Sequence, residues 1–135
     1  MCLKNGLILE MYNLISIKGY NTTFRCEASR NTTGRMEALN ETVDIEWSYS
    51  PVHSNNTVVL LSADKHQSGS VISTTDKIKY FRTVRNEFTI TDVAASDAGT
   101  YMCRLLQHNV KVNAELYVIG KLFGDVFENY FRKHV

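Results

Sequence analysis

Residues 96–103 read Ser-Asp-Ala-Gly-Thr-Tyr-Met-Cys, which sets an acid, a glycine, a tyrosine and a cysteine at fixed offsets in one short span. The stretch joins two runs of alternating polarity, so it reads as a corner where one strand turns into the next. In "EFTITDV" Phe88, Ile90 and Val93 fall on the inward side; in "TYMCRLL" Tyr101, Cys103 and Leu105 do, with Met102, Arg104 and Leu106 outward. A period of two marks a half-buried strand, because successive side chains leave opposite faces of the backbone. Gly99 gives the corner its freedom, and Asp97 is placed to accept a hydrogen bond or pair with a cation.

The same alternation recurs along the chain. "NTTFRC" puts Thr22, Phe24 and Cys26 on one face, and "TVDIEWSY" turns Val43, Ile45, Trp47 and Tyr49 inward against Asp44, Glu46 and Ser48 outward. "NTVVLLS" and "KIKYFRTV" read as further strands, and "VNAELYV" turns Ala114, Leu116 and Val118 inward. Short strands separated by turn residues specify an all-β sandwich or barrel. The residue usage agrees, since Pro51 is the sole proline while β-branched and aromatic residues are plentiful. A chain of 135 residues fits one core. Its net charge of +1, with both signs interspersed, leaves no footprint for nucleic acid or an anionic membrane surface.

Two segments depart from the alternation. Residues 29–42 are polar and read as a long loop. After Gly120, residues Leu122, Phe123, Val126, Phe127, Tyr130 and Phe131 line one face of a short amphipathic helix. The expected organisation is therefore an N-terminal extension over 1–14, a sheet domain over 15–120 and a helical tail over 121–135. The opening "MCLKNGLILEMYNLISI" makes a poor export signal because Glu10 interrupts it. No stretch reaches the roughly 18 apolar residues of a spanning helix. Neither a signal nor an anchor is visible, which suggests a processed ectodomain or an incomplete chain.

Cys26, Trp47, the "FTITDV" run and "DAGTYMC" together resemble the immunoglobulin superfamily, specifically its variable-type (V-set) domains, over roughly Gly19 to Gly120. The resemblance implies a Greek-key sandwich of two antiparallel sheets, bridged through the core by Cys26 and Cys103. Trp47 would pack on the bridge, and Tyr101 would form a tyrosine corner. Such a bridge closes about 78 residues and contributes on the order of 4 kcal/mol in the chain-entropy picture. The resemblance further implies that Asp97 pairs with a basic residue at the start of strand D, which by counting back is Lys77. Between "IEWSY" and "FTITDV" there is room for a strand C′ in "TVVLL" and a short C″. Cys26 and Trp47 stand farther apart than is usual, which predicts an insertion in the B–C loop. The last strand lacks the Phe-Gly-x-Gly bulge of antigen receptors, so an antibody or T-cell-receptor chain is not expected.

Asn21, Asn31, Asn40 and Asn55 each begin an Asn-x-Ser/Thr sequon, the acceptor motif of secreted surface loops. V-set domains commonly recognise proteins through the outer face of strands G, F, C and C′. Here that face would carry Met102, Arg104, Leu106, Glu46, Glu115 and Tyr117, an apolar centre with charged neighbours. The resemblance thus implies an extracellular binding module, an adhesion or receptor ectodomain or its secreted form. Its partner would be a protein ligand or a homophilic one, with a homodimer as one form, and no cofactor or small-molecule substrate is expected. The alternatives are a structural intracellular immunoglobulin-like module with Cys26 and Cys103 reduced, and an auxiliary subunit of a membrane channel or receptor. Catalysis is not expected: His53, His66, His108 and His134 are scattered, and Asp44 and Glu46 would stand on an open sheet. Cys2 is left as an odd thiol near the terminus.

Overall fold

Alternating polarity becomes strands wherever one face can be buried. The computed structural model describes residues 2–4, 6–32, 34–38, 45–52, 55–61, 69–72, 78–82 and 86–120. The chain opens with β1 (Cys2–Lys4) and β2 (Leu7–Glu10), then crosses between layers into β3 (Leu14–Ile17). Next come β4 (Thr22–Arg25), β5 (Glu27–Thr32), β6 (Arg35–Ala38), β7 (Ile45–Pro51) and β8 (Val58–Leu61). The remainder is β9 (Gly69–Ile72), β10 (Ile78–Arg82), β11 (Glu87–Ile90), a 3-10 turn over Ala95–Asp97, β12 (Gly99–Leu105) and β13 (Val110–Ile119).

One layer is a five-stranded sheet in the order β3-β13-β12-β7-β8. The other consists of β1-β2-β5-β6 and β4-β11-β10-β9, where β4 and β5 are one run interrupted at Cys26. Among the described residues the pairings are antiparallel except that of β3 with β13, which is parallel. Trp47, Tyr101, Phe24, Phe88, Leu9, Ile90, Leu105 and Leu116 are the largest fully buried side chains, drawn from both layers. The Cys26–Cys103 disulfide joins the layers through this core with its α-carbons 6.4 Å apart.

The structure corrects several expectations. Residues 29–42 contain a hairpin, β5–β6, that turns at Gly34 with φ +81°. Its polar sequence reads as a loop because it gives no inward apolar set. The stretch assigned to an N-terminal extension supplies β1 and β2, and Leu7 and Leu9 lie in the core. Strand β9, in the stretch left for C″, pairs with β10 in the opposite layer. Among the described residues the five-stranded sheet ends at β8, so C′ is present without C″ beside it, between the seven-stranded and nine-stranded arrangements of the fold. Ser48, expected outward, is buried beside its register neighbours Met102 and Val59, where the pairing with β8 shifts. The C-terminal helix expected over 121–135 lies outside the described residues. Among those described, no helix is long and apolar enough to cross a membrane.

Candidate functional site

Two regions concentrate polar chemistry, the corner between β11 and β12 and the outer face of the five-stranded sheet. At the corner the Asp97 side chain is 7% exposed. Its Oδ2 accepts from the Ala94 backbone N–H at 2.7 Å and from Lys79 Nζ at 2.6 Å. The same ammonium donates to the carbonyls of Thr91 and Asp92 at 3.0 and 3.2 Å. A buried ion pair is tolerated when further hydrogen bonds satisfy its remaining atoms, as they do here. Lys77, the partner expected for Asp97, lies outside the described residues; Lys79 pairs with that carboxylate here. Lys79 takes the role because its own carbonyl accepts from the Thr91 N–H, which sets it beside the turn.

Tyr101 Oη donates to the Asp97 carbonyl at 2.6 Å, the tyrosine corner expected from the motif. A second tyrosine, expected only as an inward residue, also ties down the corner. Tyr49 stands opposite Tyr101 in register, and its Oη reaches the carbonyls of Ser96 and Ala98 at 2.7 and 2.8 Å. The signal that could have found it was its place two residues after Trp47, on the strand that pairs with β12. Burial, then the Asp97 charge, then Tyr49 push Tyr80 up to about 12. Burial also raises Tyr101 well above the usual phenol range, helped by Tyr80, Asp97 and Tyr49.

These shifts give a pH prediction. Unfolded tyrosines ionise near 10 whereas the folded ones stay neutral, so what these tyrosines contribute to stability is level below about pH 10 and is lost above it. Tyr101 alone should cost about 1.4 kcal/mol by pH 11. Half-buried Tyr80 adds to the loss over the window from about 10 to about 12. Urea midpoints at pH 7, 9 and 11 measure this, and equal midpoints at 9 and 11 would contradict it.

On the outer face, β12 and β13 stack three rungs in register: Thr100 with Glu115, Met102 with Asn113, and Arg104 with Lys111. Thr100 Oγ1 and Glu115 Oε1 are 2.6 Å apart. Arg104 is held loosely, 3.9 Å from Glu46 and 3.5 Å from Asn109 Oδ1. Tyr49, Ser50, Thr57, Thr100, Met102, Lys111 and Asn113 line a shallow depression in the middle of the face. Of the residues predicted to bind a partner, Met102, Arg104, Glu46, Glu115 and Tyr117 share this face. Leu106 sits instead at the rim, in the turn after β12. Tyr117 and its register neighbour Ile15 are 52% and 71% exposed, an apolar pair at the β3 edge.

Among the sequon asparagines, Asn21, Asn31 and Asn55 are exposed, and Asn40 lies outside the described residues. Asn21 Oδ1 accepts from the Asp92 backbone N–H at 3.0 Å. Asp44, His53, His66 and His134 also lie outside the described residues. Among the described ones, no group of three His, Cys, Asp or Glu side chains is arranged to hold a metal.

No protein-family model matches the sequence, and no curated protein matches it significantly. Solved structures do. The I9-I11 tandem from titin is 16% identical with a TM-score of 0.50, over 84% of this chain and 33% of that one. Titin M4 is 18% identical with a TM-score of 0.48, over 87% of this chain and 99% of that one. At such identity the likeness to the I9-I11 tandem concerns the fold alone, and the strand order and the bridged core agree with an immunoglobulin-like sandwich fold.

Proposed function

We propose that this chain is an extracellular, V-set-like binding module, an adhesion or receptor ectodomain or its secreted form, which recognises a protein partner through the outer face of its five-stranded sheet. The observation that carries the reading is that Met102, Arg104, Glu46, Glu115 and Tyr117 share the outer face of that sheet. Asn31 is exposed on the opposite layer and Asn21 in the turn between β3 and β4, whereas Asn55 stands in the β7–β8 turn, so a glycan there would border the face on the β8 side. An apolar centre with charged neighbours has the anatomy of a modest interface, and Arg and Tyr are types that often dominate binding energy. A core disulfide suits an oxidising compartment.

Intact-mass analysis of chain secreted from eukaryotic cells, without reductant, tests the address. A bridged Cys26–Cys103 pair with glycans at Asn31 and Asn55 is expected. Free thiols and bare asparagines would favour the intracellular structural module instead. For the face, Arg104→Glu should weaken partner binding at an unchanged Tm, and unchanged binding would remove β12 from the site.

A further inference from the structure

An apolar strip runs along the β3 edge of the five-stranded sheet. The parallel register sets Ile15 against Tyr117 and Ile17 against Ile119, and parity turns all four away from the core. Leu14 and Val118, of the opposite parity, pack against the core. Ile15 and Tyr117 are exposed, and Ile17 and Ile119 half-buried. Asn13 Oδ1 accepts from the Glu115 N–H at 2.8 Å, so exposed Tyr12 continues the same edge to the level of Glu115. Gly120 comes directly after the strip, and a Cβ there would meet nothing within 4 Å, which gives the main chain room to turn.

We infer that residues 121–135 form an amphipathic helix that turns back after Gly120 and packs on this strip within the same chain. A helix of about 15 residues is marginal by itself in water, so its apolar face needs a surface. That face, from Leu122 to Phe131, spans nine helical rises, about 14 Å. Ile119 to Glu115 is four strand residues, about 13 Å, so the two apolar surfaces match in length. Asp125 early in the segment and Arg132 and Lys133 late in it complement the helix dipole, and Glu128 with Arg132 adds an i, i+4 pair. At 100° per residue Lys133 falls about 20° from Leu122, on the margin of the apolar face. A helix running antiparallel to β13 brings this ammonium level with Glu115, which takes part in no ion pair among the described residues.

Val58 and Val59, also exposed on this sheet, stand on β8 at the opposite edge, three strand spacings or about 14 Å from β13. A segment that leaves the end of β13 meets the β3 strip first. The Asn55 sequon borders the β8 edge as well, and Asn21 lies past the β3–β4 turn, where its Oδ1 takes the Asp92 N–H beside β11 in the other layer. Docking of this kind covers Tyr117 and leaves Met102, Arg104 and Glu46 open on the central strands. It does not depend on the outer face being the recognition surface.

Hydrogen–deuterium exchange of the full oxidised chain tests the docking. Amides of Leu122–Phe131 should exchange about tenfold or more slowly than the intrinsic rate of an unstructured chain. Ile15→Asp and, separately, Tyr117→Ser should each return them to that rate, while unchanged protection of the β12 amides shows that the sheet is intact. Val58→Asp, on the opposite edge, should leave the segment protected. Should a strip variant lose its β12 protection, Phe127→Asp reads the same contact from the other side: it should speed nitration of Tyr117 by tetranitromethane several-fold, located by peptide mass. An unprotected segment in the wild type overturns the inference. So does protection that survives the strip variants, that is lost equally with Val58→Asp, or that grows with protein concentration, which would mean docking between copies. Tyr117 nitration unchanged by Phe127→Asp overturns it too.

Discussion

Replacing Trp47 with alanine should lower the unfolding free energy by about 3–5 kcal/mol. The indole is fully buried and lies in register with Cys103 on the neighbouring strand. It stacks on Phe88 with ring centroids 5.3 Å apart and planes inclined by 19°. Phe88 in turn contacts Tyr80 at 5.5 Å and Tyr101 at 6.0 Å, and Tyr101 stacks on Phe24 at 5.0 Å. The truncation therefore opens a gap inside a chain of aromatic contacts that spans both layers. The covalent bridge beside it keeps the layers apart, so the gap closes poorly and the loss falls toward the upper end of the range. Equilibrium denaturation measures it, and a change under about 1 kcal/mol would show that the indole is not central.

Gly99→Ala should be nearly as damaging. Gly99 has φ +149°, a backbone conformation that L side chains rarely adopt. An added Cβ would come within 2.5 Å of the Ser50 carbonyl oxygen and 2.8 Å of the Tyr49 ring. Backbone strain of about 1–3 kcal/mol and overpacking of about 1–3 kcal/mol act together here. The first obstacle is main chain, and the second is a ring tied at its Oη to the carbonyls of Ser96 and Ala98. Neither can yield cheaply without releasing the corner. A fall in Tm on the order of 10 °C is expected, and a melting curve that overlays the wild type would refute the close approach of β7 to β12.

Half-buried strands were legible because they write themselves as a period of two. Phe24, Trp47, Phe88, Tyr101 and Leu116 were placed on the inward side by parity alone, and all are buried. The β5–β6 hairpin was not legible, since polar residues dominate its sequence and supply no alternating apolar set. In β2, Leu7 and Leu9 alternate with Ile8 and Glu10, but a run of four residues that includes two apolar neighbours carries too little alternation to mark a strand. Lys77 and Lys79 have the same parity, and choosing between them required the pairing of β10 with the turn after β11. For the outer face, parity supplied the residues. The order of charge along it, and the depression at its centre, depend on which residue of β12 stands against which of β13, and alternation does not encode that register.

The position of the bridge also governs how the molecule answers to tension. Cys26 and Cys103 are separated by 77 residues. A pull applied at the two ends runs through the sulfurs and leaves that segment slack. Roughly 260 Å of contour length is thereby withheld from stretching until the bond is reduced. Only the residues outside the loop, including the hairpin of β1 and β2 and strand β13, can pay out under load. Thiol chemistry, more than hydrogen bonding, thus sets how far this chain can lengthen.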